Sequence, residues 1–171
     1  MDLLGNDYPY STNALTGKHV LVCGASKGIG AATAKMMAKA GANVTVSARS
    51  HDALVSLCEE LSELGSGEHK ALVLDLEETA SIKPTIQTLV EQCGPIHILV
   101  NNAGGPPGGP LLSNAVEDFE APFKRHLHAA HTLVQSLAPA MEKIGYGRII
   151  QIISTSVKEP VSYTHLTLPT I

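Results

Sequence analysis

No run of lysine or arginine interrupts the 171 residues, and the net charge is -4. A nucleic acid or an anionic membrane surface is therefore not the expected partner. No apolar stretch approaches the ~18 residues that a membrane-crossing helix needs. The opening, MDLLGNDYPYSTNALTGK, has no basic segment followed by an apolar run, so it does not read as a signal peptide. Cysteine is scarce. Cys23, Cys58 and Cys93 are an odd, widely spaced set in apolar stretches, which excludes a disulfide framework or a zinc site and fits reduced core residues. The expectation is a soluble, cytoplasmic protein. What is present is ordinary for a compact domain: 44% hydrophobic and 16% charged residues, in a chain long enough for one sizeable core and too short for two.

Short apolar runs alternate with helical patterns along the chain. HVLVC (19–23), NVTVSA (43–48), ALVLD (71–75), HILVN (97–101) and RIIQII (148–153) are strand-like. Most are apolar throughout, as strands covered on both faces must be. Between them, Leu54, Leu57, Leu61 and Leu64 recur at helical spacing in 51–64, and Ile82, Ile86 and Leu89 do so in 79–92. Strand–helix repetition of this kind predicts an α/β fold: a doubly wound parallel sheet of the Rossmann type, ending after its fifth strand. The expected strand order is 3-2-1-4-5, with the ligand crevice between strands 1 and 4 at their carboxyl ends. The fifth strand should be an exposed edge. GGPPGGP (104–110) reads either as a flexible linker or as a ligand loop after strand 4.

Gly24, Gly28 and Gly30 lie between the first strand and the first helix. A tight turn there needs a residue without Cβ, and a diphosphate needs bare N–H groups at a helix N-terminus. The same spacing also suits a turn that binds nothing. Arg49 closes the second strand, where dinucleotide folds hold the ribose 2′-hydroxyl with an acid or a 2′-phosphate with a base. Arg49 and Lys27 are cations, and no carboxylate stands at 47–49, so NADP(H) is favoured over NAD(H). Each cation could instead be a solvated surface charge. Asp75 is suited to accept a hydrogen bond from an adenine amine or to cap a helix.

Taken together, these residues resemble the short-chain dehydrogenase/reductase family over about 16–160. CGASKGIG resembles the family's T-G-x-x-x-G-I-G, with Cys23 in place of Thr, and Asn101, Asn102, Ala103 and Gly104 match its N-N-A-G. GRIIQIIS resembles the fifth strand that ends in the family's serine, which assigns Ser154. The resemblance implies hydride transfer at a small-molecule carbonyl or alcohol, of the 3-oxoacyl-carrier-protein reductase type, and a homo-oligomeric parent protein. It implies cofactor contacts from Gly24, Ser26, Lys27, Gly28, Ile29, Gly30 and Arg49 in the first half of the fold. Asp75, Leu76, Asn102, Ala103 and Gly104 complete that set. In the family a serine orients the carbonyl oxygen and a tyrosine donates the proton. A neighbouring lysine brings that phenol down from its free pKa of ~10.

Two departures stand out. Where the family has a helical asparagine in its proton relay, FKRHLHAAH offers His126, which suits either a relay near neutral pH or a half-buried structural role. His126, His128 and His131 do not form a metal site, since 126 and 128 point to nearly opposite helix faces. Tyr163 comes nine residues after Ser154, Thr167 stands four further on, and no lysine follows Lys158. Tyr163 is therefore not the family's acid. VSYTHLTLPT (161–170) also reads as a translation of GTC TCT TAT ACA CAT CTG ACG CTG CCG ACG, which resembles a sequencing-library adapter. The expected organisation is an N-terminal extension (1–15), an incomplete NAD(P)-binding domain (16–160) and a non-native tail (161–171). Two other readings remain: a nucleotide-binding pseudoenzyme with a sensing or assembly role, and a sugar-nucleotide epimerase. The G-x-x-x-G-x-G spacing speaks against the epimerase.

Overall fold

The computed structural model describes residues 11–105 and 115–154. The first ten residues, most of the proline–glycine segment, Lys158, Tyr163 and the 161–171 tail lie outside the described residues.

Five parallel strands form one sheet in the order β3-β2-β1-β4-β5, as the alternation of elements predicts. They are β1 (His19–Cys23), β2 (Asn43–Ala48), β3 (His69–Val73), β4 (Ile98–Asn101) and β5 (Arg148–Gln151). The intervening helices are α1 (Gly28–Lys39), α2 (His51–Leu64) and α3 (Thr79–Cys93). Between β4 and β5 the chain passes through a 3-10 turn (Val116–Phe119), a short α4 (Glu120–Pro122), a π-helical turn (Phe123–His128) and α5 (Ala129–Lys143).

The unbroken apolar runs of β1 and β4 follow from the period of two in a strand. Val20, Val22, Ile98 and Val100 face one side, where Ala34 and Ala38 of α1 and Leu54, Leu57 and Leu61 of α2 cover them. Leu21, Cys23 and Leu99 face the other, against Ile82, Ile86 and Leu89 of α3 and Leu133, Leu137 and Met141 of α5. Leu64, the last of the leucine series, is only half-buried. It is the last residue of α2.

β3 begins and ends two residues before the 71–75 run that its apolarity suggests. Its register is fixed by pairing with β2, Val44 opposite His69 and Ala48 opposite Val73. As an outer strand it needs no continuous apolar run, and Val73 is 51% exposed. β5 likewise closes at Gln151, though the Ile152 amide still donates to the Asn101 carbonyl at 2.9 Å. Among the described residues β5 pairs with β4 alone, and Ile149, Ile150 and Ile153 are 40%, 39% and 72% exposed. The fifth strand is the open edge that was expected. No described helix is long and apolar enough to cross a membrane.

Candidate functional site

All five strands run the same way, so the loops leaving β1, β2, β3 and β4 emerge at one edge. There they enclose a crevice of about 470 Å³, within the range of small-molecule sites. It opens between β1 and β4, where the chain switches direction across the sheet.

The loop after β1 supplies Gly24, Ser26 and Lys27 to the wall, and the first turn of α1 supplies Ile29. Gly24 has φ +60°, and a Cβ there would stand 2.4 Å from the Asn102 carbonyl oxygen. The close approach is tied down by the Asn102 side-chain amide, which donates to the carbonyls of Cys23 at 3.3 Å and Gly24 at 3.2 Å. Gly30 does not line the crevice. It lets α1 approach the loop, since a Cβ on it would stand 2.3 Å from the Gly24 carbonyl oxygen. Gly28 opens α1 after the extended Lys27, and no side chain caps the helix there. The first-turn N–H groups of a twelve-residue helix thus face the crevice end without an acidic neighbour in that turn. These are the groups a diphosphate requires.

From the other strand ends come Ala48, the last residue of β2, and Arg49 after it, Asp75 and Leu76 after β3, and Asn102, Ala103 and Gly104 after β4. Arg49 and Lys27 are exposed, and both reach the crevice. Asp75 caps its own turn rather than α3: its Oδ1 accepts from the Glu77 amide at 2.9 Å, while α3 starts at Thr79. The crevice therefore brings together every cofactor-contact residue named from the sequence except Gly28 and Gly30.

Ser154 and His126 do not line the crevice. Ser154 is an exposed residue three beyond β5. His126 Nε2 stands 3.0 Å from the Gly104 carbonyl oxygen. A carbonyl can only accept, so Nε2 carries the proton in that bond. His126 thus joins the π-helical turn to the loop after β4.

Two charged crevice residues, Arg125 and Glu77, escape a reading of the sequence. Arg125, on the π-helical turn, lines the crevice and donates from Nη1 to the carbonyls of Gly104 at 3.0 Å and Gly105 at 3.2 Å. Its Nε and Nη2 engage Glu77 Oε1 at 3.0 and 2.7 Å. A basic residue beside His126 was the sole local signal, and its partner lies 48 positions away. No group of residues suited to a metal ion occurs among the described residues.

An open parallel sheet with a glycine turn and an uncapped helix at its switch point is the architecture of a dinucleotide-binding oxidoreductase domain. Residues 18–165 match the family model described as short chain dehydrogenase, and the chain belongs to that family. It is 34% identical to the ketoacyl reductase HetN of Nostoc sp. over 87% of this chain and 52% of that protein. It is also 34% identical to the 3-oxoacyl-[acyl-carrier-protein] reductase FabG of Vibrio harveyi over 81% of this chain and 55% of that one. A metagenomic short-chain oxidoreductase solved in complex with NADP superposes with a TM-score of 0.83 at 34% identity, covering 90% of this chain and 69% of that one. The chain spans about half the length of the curated relatives it matches.

Proposed function

We propose that this chain is the cofactor-binding part of an NADP(H)-dependent reductase or dehydrogenase, acting on a carbonyl or alcohol of the 3-oxoacyl-carrier-protein reductase class. One observation carries the reading. Lys27 and Arg49 reach the same crevice as the bare glycine turn, and the end of β2 offers no carboxylate. When bound, a nicotinamide dinucleotide supplies or accepts the hydride. The chain's own residues do the rest of the binding. The first-turn amides of α1 hold the diphosphate, and Lys27 and Arg49 pair with the 2′-phosphate. Asp75 keeps a carboxylate oxygen for the adenine amine beside the one bonded to Glu77. Leu76, Ala103 and Ile29 supply apolar wall. Ser154 orients a substrate carbonyl oxygen, and His126 holds the Gly104 carbonyl that shapes the floor.

As the 171-residue chain stands, hydride transfer is not expected. Tyr163 has Thr167 where a lysine would lower its pKa, and a positioned proton donor is worth ~10²–10⁴ in rate. NADP(H) occupancy is tested by displacement of fluorescent NADPH from the purified chain. Displacement by 2′,5′-ADP at concentrations at least about tenfold lower than 5′-AMP is expected, since charge-assisted bonds to the 2′-phosphate are worth more than a neutral contact. Equal displacement by the two contradicts the assignment.

A further inference from the structure

Arg125 touches three separate stretches of chain. Its guanidinium joins the π-helical turn it sits on to Glu77, four residues beyond β3, and to Gly104 and Gly105, beyond β4. The side chains of the ion pair are 22% and 32% exposed, so water screens them only in part. Planar and five-handed, a guanidinium suits this task, since it can serve a carboxylate and two carbonyls at once without changing rotamer. The π-helical turn matters too. Its wider winding brings adjacent side chains closer in angle than an α-helix does, and neighbours Arg125 and His126 both reach the Gly104 carbonyl. Such turns recur at functional sites.

The tied segments both line the crevice, through Leu74 to Glu77 and Asn102 to Gly104. Nothing in the β-sheet ladder joins them, because β3 and β4 are separated by β2 and β1. We propose that Arg125, paired with Glu77, is a positioning residue that latches these two loops together and so holds the adenosine-side wall of the crevice in its binding geometry before the nucleotide arrives. Its bearing on cofactor binding rests on the NADP(H) assignment above.

A purely electrostatic role makes the opposite prediction at one position. If the crevice simply attracts an anionic nucleotide, removing the Glu77 carboxylate should tighten NADPH binding. If Glu77 anchors the latch, its removal should loosen the wall and weaken binding. The experiment uses the full chain, with NADPH as the probe. Arg125→Met is expected to raise the NADPH Kd about tenfold and Glu77→Ala about fivefold. Arg125→Lys keeps the charge and the pairing with Glu77 but cannot also reach both carbonyls, and should fall between wild type and Arg125→Met. Hydrogen exchange on the cofactor-free chain gives a second reading: amides in 76–78 and 102–105 should exchange faster in Arg125→Met, while those of β1 keep their protection. Tighter NADPH binding by Glu77→Ala, or Arg125→Met within twofold of wild type, overturns the latch. Unchanged exchange in both loops overturns it as well. If the unaltered chain does not bind NADPH, the cofactor assignment fails, and the exchange comparison alone decides whether the latch exists.

Discussion

Replacing Gly24 by alanine should be among the most damaging single-methyl additions this chain can receive. Two separable effects act there. The residue has φ +60°, a conformation that costs an L-residue with a Cβ about 1–2 kcal/mol. The new Cβ would also stand 2.4 Å from the Asn102 carbonyl oxygen and 2.9 Å from its side-chain nitrogen. Overpacking of that kind costs roughly 1–3 kcal/mol more, because the nearest obstacle is backbone just beyond β4 and cannot rotate away as a side chain can. The sum is about 2–5 kcal/mol. Gly28 provides the control. It has φ +59°, yet a Cβ there would meet nothing within 4 Å. Gly28→Ala should therefore carry the conformational cost alone, about 1–2 kcal/mol. In a chain of this size each kcal/mol moves Tm by roughly 2–4 °C. Gly30→Ala has the opposite composition, a contact of 2.3 Å to the Gly24 carbonyl oxygen without positive φ. It gains about 0.5–1 kcal/mol of helix propensity against an overpacking cost of roughly 1–3 kcal/mol. Urea or thermal melts of the three variants read the series directly. The reasoning about close approach between β1 and β4 fails if Gly24→Ala proves no less stable than Gly28→Ala.

The remaining expectations concern pH, thiols and the sheet edge. Burial, and then the neighbouring His97, hold His19 below its usual pKa of 6.5, and burial does the same for His97 and His69. The unfolded chain therefore binds more protons below pH 6.5, so stability should be full above that pH and fall as acid carries it down through the lowered folded values. Melts at pH 7.5 and 5.5 test this, and a flat or rising profile on acidification contradicts it. Burial pushes the Cys23 thiol up to about 12, so alkylation mapped by mass spectrometry should leave Cys23 unlabelled until the chain unfolds. Half-buried Cys93, its sulfur 3.1 Å from Lys70 Nζ, should be labelled in the native chain; rapid native labelling of Cys23 would refute the packing described for β1. The open edge of β5 exposes Ile150, and Ile150→Lys should reduce concentration-dependent association seen by light scattering. Unchanged association would show that another surface drives it.

The sheet was legible because its signal is redundant. β1, β2 and α2 fall on the residues that periodicity marks, since each buries a continuous apolar stripe whose pattern has one solution. β3 slipped by two residues for a physical reason: as an outer strand its position is set by hydrogen-bond register with β2, and Leu74 is buried beyond the strand's end. Much of the crevice was legible too, because glycines with positive φ and loops at strand ends leave a local trace. Arg125 and Glu77 were not. Their meaning depends on a contact across the fold and on a π-helical winding that no periodicity in FKRHLH announces. His126 was noticed for its chemistry, whereas its hydrogen bond to Gly104 belongs to the same bracing of that loop.

The most direct test of the central claim is a paired titration of NADPH and NADH into the unaltered chain and into Arg49→Asp. Arg49 lines the crevice at the end of β2, and its guanidinium is read as the partner of the 2′-phosphate. Reversing its charge removes that pairing and adds repulsion, together about 2–4 kcal/mol, or roughly 30- to 700-fold in NADPH affinity. The account predicts that the unaltered chain prefers NADPH and that Arg49→Asp loses this preference while keeping its affinity for NADH. Equal affinities for the two cofactors in the unaltered chain, or NADPH binding untouched by Arg49→Asp, would contradict it.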